Sequence, residues 1–354
     1  MQQKITCLGR MVFGVAVGAI ALGPSLTNAE EIKVRMANNT TCNIGAPHVA
    51  EQMGIYKDTD VQVNFVSSEA SIPAVAFLSN GDADLVMLDP NEVYAMSTAG
   101  QQGSIIYEVM QQEAANVAVR ADSDIASLED LKGKTIGLAS DRDSATTAIA
   151  LYTVGLSIDD VTTVVTGDSG PVVAKALRDD TVQAFVGGPE DTAAIDAAGI
   201  PLRMITPLLV SQSIGNSFVI WDERAEEKRD VVTKFLRGMA MANLATQIDP
   251  KATASMCRAV LPEEWEDTNV GWAIWNNSVR NLNLKRTKLW GELQPDVWAD
   301  YQQPLIKLGS HPAFIDPSEF LNDSFIAGAN DFTTAEVKQR IKAWRDANAD
   351  KMLP

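Results

Sequence analysis

Most enzyme chemistry needs histidine, cysteine or a metal-binding cluster, and this chain is poor in all three. It has two histidines, His48 and His311, and three cysteines, Cys7, Cys42 and Cys257. No H-E-x-x-H, C-x-x-C or His/Cys cluster occurs, so the sequence offers no zinc site and points to no metal or cofactor. Gly133-Lys134-Thr135 looks like the end of a phosphate-binding loop, but the glycine required five positions before Gly133 is Leu128, and the tripeptide leads into a strand. Gly167-Asp168-Ser169-Gly170 looks like a serine-protease nucleophile segment. That chemistry needs a histidine base backed by an aspartate. Neither histidine has such a context, so the segment reads as a loop and helix cap. His48 is expected to face solvent on the first helix, and His311 to lie in a loop. No G-x-S-x-G elbow and no dinucleotide G-x-G-x-x-G is present in the chain beyond its leader.

What remains is a set of polar loops between a strand and a helix. Asn38, Asn39, Thr40 and Thr41 follow the first strand, and Ser67 follows the second. Asp89 precedes Pro90 after a short apolar run. Ser140, Asp143 and Ser144 follow a fourth segment, and Gly188 and Glu190 a fifth. Helix N-termini offer free backbone N–H groups and a positive dipole end, which suits a carboxylate, sulfonate or phosphate. Each loop alone could be simple capping. Five of them on two α/β units suggest one shared cleft. Tyr94 or Trp221 could stack on a ligand ring, with core packing the plainer role for each.

Those loops need a scaffold, and the sequence describes one. Strand-like and helix-like runs alternate. Ile32–Ala37 and Val61–Val66 read as strands, Gly45–Gly54 and Ala70–Asn80 as helices, and Leu85–Leu88 as a buried strand. Asp89 and Pro90 then open a helix as N-cap and N1 residues. A second unit begins near Val117. It contains strands Val117–Arg120, Thr135–Ala139, Gln183–Gly187 and Leu202–Ile205 between helices at about 144–154, 171–178 and 189–197. Ser217–Trp221 is again a strand, and the rest is helical. This order implies an α/β fold with mostly parallel sheets. Six of the seven tryptophans lie beyond residue 260, so the helical tail must bury them, most economically on the first lobe. The expected organisation is a leader at 1–29, one lobe from 30–117 plus 217–354, a second lobe from 118–216, and two crossovers between them.

The N-terminus predicts export. Lys4 and Arg10 precede the apolar run 11–23, which is of signal-peptide length, and Thr27-Asn28-Ala29 supplies small residues for cleavage. Removing Lys4 and Arg10 from the 29 basic residues leaves 27 against 46 acidic ones, a net charge of −19. A surface this acidic disfavours nucleic acid and anionic membrane. Cys7 leaves with the leader. Cys42 and Cys257 could pair after export, but two separate buried thiols are the expectation, since nothing in the sequence shows them to be close.

Three blocks resemble the solute-binding proteins of sulfonate, nitrate and taurine ABC transporters, a family that also holds receptors for thiamine pyrimidine precursors. The first is Ala50-Glu-Gln-Met-Gly-Ile-Tyr-Lys followed by Val61-Gln-Val, with Ile55 where the pattern has an aromatic. The second is Leu78-Ser-Asn-Gly-Asp-Ala-Asp-Leu. The third is Ser127-Leu-Glu-Asp-Leu-Lys-Gly-Lys-Thr-Ile-Gly, with Ala174-Lys-Ala-Leu-Arg-Asp-Asp-Thr-Val-Gln-Ala-Phe downstream. The resemblance implies a two-lobed periplasmic-binding-protein fold of the type II-like kind. It also implies capture of a small organic solute, with an inner-membrane ABC permease as partner. A monomer is expected, and the scarcity of histidine and cysteine argues against catalysis. Asp89, Asp141, Asp143, Glu190 and Asp191 make the expected rim acidic. That favours a zwitterionic, amine-bearing or heterocyclic ligand over a bare inorganic anion. The alternatives are a pyrimidine-synthesis-like enzyme on the same scaffold, which the scarcity of histidine and cysteine opposes, and a periplasmic ligand sensor.

Overall fold

A computed structural model describes residues 29–36, 42–67, 73–111, 115–281 and 286–354. The leader 1–28, the expected contact residues Asn38, Asn39, Thr40 and Thr41, and the start of the helix expected from Ala70 lie outside the described residues.

Among the described residues, ten strands form two five-stranded sheets. The first holds β1 (Glu30–Arg35), β2 (Val61–Phe65), β3 (Leu85–Leu88), β4 (Gly103–Glu108) and β10 (Ser217–Trp221), in the order β2-β1-β3-β10-β4. The second holds β5 (Asn116–Arg120), β6 (Thr135–Leu138), β7 (Thr162–Val165), β8 (Ala184–Gly187) and β9 (Leu202–Met204), in the order β7-β6-β8-β5-β9. The chain therefore crosses from the first sheet to the second between β4 and β5, and returns between β9 and β10. The parallel β1, β2 and β3, and β6, β7 and β8, are joined by helices, as crossover geometry requires. Each sheet also takes antiparallel strands: β10 pairs with β3 and β4, and β5 with β8 and β9.

The burial of each strand matches its place. β3 (LVML) is buried throughout, as befits a strand covered on both faces, whereas the outer strand β2 is partly exposed. The β4 edge is closed by the tail: the Ile105 N–H donates to the Phe320 carbonyl at 2.8 Å and the Asn322 N–H to the Ile105 carbonyl at 2.9 Å. Left open, such an edge would be a pairing hazard.

The tail packs on the first lobe through the 20-residue helix Arg229–Ile248. This helix buries Val232, Phe235, Leu236 and Met239 against the first sheet and receives the helix Thr334–Ala347. Tail helices also reach the second lobe. Thr268–Asn281 lies along Pro189–Ala197, and Pro295–Lys307 touches Asp143–Tyr152. An apolar core consequently runs between the lobes, with Val86, Val117, Val186, Ile214 and Trp298 in one cluster.

Two expectations are corrected. Cys42 and Cys257 are bonded as a disulfide, with 5.9 Å between their Cα atoms. The helices Ala46–Gln52 and Pro250–Val260 pack side by side and carry the two residues into reach across 215 positions, a proximity that local pattern cannot encode. His48 is buried rather than exposed, 4% accessible, with its ring 5.3 Å from that of Phe65. The face of Ala46–Gln52 that should have met water instead packs His48 against Phe65 of β2. His311 does lie in a loop, but it is buried against Tyr94, 5.1 Å between ring centres. Tyr94 is core: it packs on Trp298, Tyr301 and Phe320, and its hydroxyl donates to the Trp298 carbonyl at 2.6 Å.

A bond closing so long a loop constrains the unfolded chain strongly. Cys257→Ser is expected to lower unfolding free energy by about 2–5 kcal/mol, read from denaturant midpoints of the oxidised wild type and the variant. Equal midpoints would show that the bond contributes nothing.

Candidate functional site

The carboxyl ends of the parallel strands in both sheets lead into the loops singled out above, and the described loops bring charge together across the lobes. In the first lobe, Asp89 caps the helix Pro90–Thr98. Its Oδ1 accepts the Glu92 N–H at 3.0 Å, and its own N–H donates to Glu92 Oε2 at 3.1 Å, a reciprocal capping box. Burial pushes the Glu92 carboxyl up to about 7, and the charge of Asp89 adds to the push. The Asp89 N–H, Arg142 and Arg35 act in the other direction. Arg35, at the end of β1, is almost wholly buried. Burial and then the charge of Arg142 lower its pKa, while Glu92 opposes. Arg142 belongs to the second lobe, so Glu92 and Arg35 feel the opposite wall of the cleft.

In the second lobe, the Ser140 N–H and hydroxyl both donate to Asp143 Oδ2 at 2.8 Å. This closes the turn from β6 into the helix Asp143–Tyr152, where Ser144 is half-buried in the first turn. Burial raises the Asp143 pKa against those two hydrogen bonds, and Asp89 across the cleft raises it further. β8 runs into Gly187-Gly188. The Gly188 N–H donates to Asp191 Oδ2 at 2.7 Å. A Cβ at Gly188 would fall 2.6 Å from the Glu190 carboxylate, and one at Gly187 2.7 Å from Asp191 Oδ2. The glycine pair therefore lets both carboxylates fold back over the turn. Burial, and then the charge of Glu190, push Asp191 up to about 7. Burial raises Glu190 too, and Asp143, Asp168 and Glu264 add to it.

Glu264 brings in the tail. Its Oε2 accepts the Cys42 N–H at 2.9 Å, and Trp265 Nε1 lies 3.4 Å from Cys42 Sγ. The disulfide thus ties Cys42 to the helix Pro250–Val260, which leads directly into the segment carrying Glu264, and Glu264 is in electrostatic reach of Glu190.

Of the residues expected from sequence, Asp143 is brought into electrostatic reach of Asp89 on one side and of Glu190 on the other, with Ser140, Ser144 and Gly188 in the turns of the second lobe. Ser67 lies exposed just beyond β2. Asn38–Thr41 are outside the described residues. Sequence reasoning missed Arg35, Glu92 and Glu264. Glu92 was readable as the third residue after an Asp-Pro cap. Arg35 is hidden inside a strand, and Glu264 lies 222 residues from the Cys42 N–H it accepts. Among the described residues, no group of three His, Cys, Asp or Glu side chains could hold a metal ion.

Two sheets with two crossings, and a cleft lined by helix N-termini, define the class as the two-lobed binding-protein fold. More narrowly, the chain belongs to the NMT1/THI5-like family, whose model matches residues 42–253. Several solved structures are similar. The periplasmic aliphatic sulphonate-binding protein SsuA of Escherichia coli is 16% identical, with a TM-score of 0.64 over 82% of this chain and 91% of that one. The alkanesulfonate-binding SsuA of Xanthomonas axonopodis pv. citri, bound to MOPS, is 14% identical, with a TM-score of 0.60 over 83% and 98%. The desulfurization enzyme DSZB is 14% identical, with a TM-score of 0.56 over 85% and 98%, so the fold carries catalysis as well as binding. No curated protein matches the chain by sequence.

Glu92 supplies a pH test. The folded state keeps its proton up to about pH 7, whereas an unfolded glutamate loses its proton near 4.5. Between those values the folded state binds more protons, so stability falls as pH rises through the window. Glu92→Gln retains an acceptor for the Asp89 N–H and removes the titration. Its stability relative to wild type should therefore rise by about 1–3 kcal/mol between pH 5 and pH 8. Parallel curves from thermal unfolding across that range would assign the slope elsewhere.

Proposed function

We propose that this chain is the exported solute-binding component of an ABC-type uptake system. It captures a small organic solute bearing an amine, together with a carboxylate, sulfonate or similar anionic group, between its lobes. The observation that carries the reading is the charge pattern of the cleft. Asp143, Asp168, Glu190 and Asp191 of the second lobe meet Asp89 of the first and Glu264 of the tail, while Arg35 and Arg142 lie beside Glu92. Buried carboxylates repel one another, and a ligand ammonium relieves that repulsion. The arginines suit the anionic end. A bare anion such as nitrate would meet the wrong sign over most of this surface.

Family membership and the similarity to sulfonate-binding SsuA proteins support transport over the sensor reading. The leader supports export to the periplasm, and a buried disulfide suits an oxidising compartment. Among the described residues no helix is long and apolar enough to cross a membrane. In this reading 30–117 plus 217–354 and 118–216 move as two bodies that close on the ligand, and a permease recognises the closed monomer. Binding rather than turnover is supported by the cysteines beyond the leader being bonded to each other and by both histidines being packed against aromatic rings.

Native mass spectrometry of the purified protein should show a co-purifying organic solute. Taurine, which carries an amine and a sulfonate, should raise the melting temperature more than nitrate or ethanesulfonate does. Glu190→Gln should weaken that binding roughly 10- to 100-fold, the loss of one charge-assisted contact. A larger shift with nitrate than with any amine-bearing compound would overturn the ligand class, and no shift across sulfonates, carboxylates, amines and pyrimidines would overturn solute binding.

A further inference from the structure

The two crossings run side by side at the hinge. The Met110 N–H donates to the Asn216 carbonyl and the Gly215 N–H to the Met110 carbonyl, both at 3.0 Å. A third piece of chain grips them. The Arg286 guanidinium donates through Nη2 to the Gln111 carbonyl at 2.7 Å and through Nη1 to the Gln212 carbonyl, one acceptor on each crossing. Thr287 Oγ1 donates to Gln111 Oε1 at 3.1 Å, and Gln111 Nε2 donates to the Glu292 carbonyl at 3.1 Å. Just below, the Glu108 carboxylate, 1% exposed, accepts from the Gln294 N–H at 2.7 Å, Gln294 Nε2 at 2.6 Å and Trp298 Nε1 at 3.0 Å. Glu108 is the last residue of β4 and faces Ser217, where the return crossing enters β10.

The same stretch of tail touches the second lobe at both ends. The helix Thr268–Asn281 before it lies along Pro189–Ala197, and the helix Pro295–Lys307 after it packs on Asp143–Tyr152, with Lys307 Nζ 5.6 Å from the Tyr152 ring centre. Both partner helices begin at the cleft, with Glu190 and Asp143 in their first turns.

We propose that the helix Thr268–Asn281 and the segment 286–307 form an interlobe strap, clamped on both crossings by Arg286, that holds the lobes at one angle before any ligand arrives. Rotating the lobes apart must separate these helices from the second lobe or part the two carbonyls held by one planar guanidinium. A planar fork holds two acceptors in a fixed relation, which an ammonium cannot do. Arg286 is thus a positioning residue for closure, without contact to the solute. The inference rests on the two-lobed closure reading but not on the identity of the ligand.

Spin labels at Lys57→Cys on the first lobe and Asp159→Cys on the second, both exposed positions, report the interlobe distance by pulsed dipolar spectroscopy. With the strap intact, the ligand-free protein gives one narrow distribution. Arg286→Ala adds a second population at longer distance, and Arg286→Lys, whose single nitrogen replaces the rigid fork, adds a smaller one. Thr287→Val is a milder second variant that leaves the guanidinium in place and broadens the peak. Arg286 is solvent-exposed, and near-ultraviolet circular dichroism confirms that each variant is folded. A broad distribution in the wild type, or identical narrow peaks in wild type and folded variants, overturns the strap. Taurine and the compound panel separate the two claims. A melting shift with unchanged variant distances refutes the strap and leaves solute binding standing, whereas altered distances without any shift uphold the strap and refute solute binding.

Discussion

The structure depends on the return of β10 into the first sheet. Ser217–Trp221 enters antiparallel between β3 and β4, pairing Phe218 with Met87 on one side and with Tyr107 on the other. A strand at that position buries Phe218, Val219 and Ile220 completely, which on the usual scale stabilises by about 1.5–3 kcal/mol per side chain. Once the strand is in place, everything between β4 and β10 must leave the first lobe and come back at the same point. That is why the second sheet is joined to the first by two adjacent segments. It also puts the end of β4 at these crossings, so the Glu108 carboxylate becomes the anchor for Gln294 and Trp298.

Local and long-range roles coincide in the cleft carboxylates. Asp89 and Asp143 each accept backbone N–H groups of their own turns, which accounts for their positions without any ligand. Capping does not explain why Glu92 and Asp191 are buried far enough to be pushed up to about 7. Burial disfavours the charged form of each. A protein selected only for stability gains by replacing such residues. Their joint placement at the meeting of both lobes fits the solute-binding reading proposed above.

How much of this was legible in the sequence follows from the range of the forces involved. β3 and β10 are read at their observed limits because continuous apolar runs between polar turns have few other solutions. The Asp89-Pro90 helix start was equally plain. β4 (GSIIYE) and β7 (TTVV) escaped notice. β4 is bracketed by glycine and glutamate, and the burial of that glutamate comes only from the tail. β7 is an outer strand whose valines stay half-exposed. The acidic rim could be read because capping residues sit at strand-to-helix turns. Arg35 and Glu264 could not: Arg35 sits inside a strand and is placed by its sheet register against Val86, and Glu264 by a contact 222 residues away. The disulfide and the burial of His48 are both tertiary: the first needs Pro250–Val260 packed on Ala46–Gln52, the second needs Phe65 of β2 beside the His48 ring.

The tail also shows why a helical appendix is worth its length in a binding protein. Two lobes joined by short segments with little contact would sample many angles, and a ligand would have to supply the free energy to select one. If the competent angle were populated only a hundredth of the time, apparent affinity would fall a hundredfold, about 2.7 kcal/mol. Apolar core running from Val86 through Trp298 to Val186 biases that equilibrium without occupying the cleft. Too much bias would shut the ligand out, so an effective strap must be weak enough to open. This one grips the crossings through Arg286 and Thr287, exposed or partly buried groups whose hydrogen bonds contribute about 1–3 kcal/mol each, while the buried Glu108 network anchors it to the first lobe. Such an arrangement preorganises the lobes while leaving opening within thermal reach.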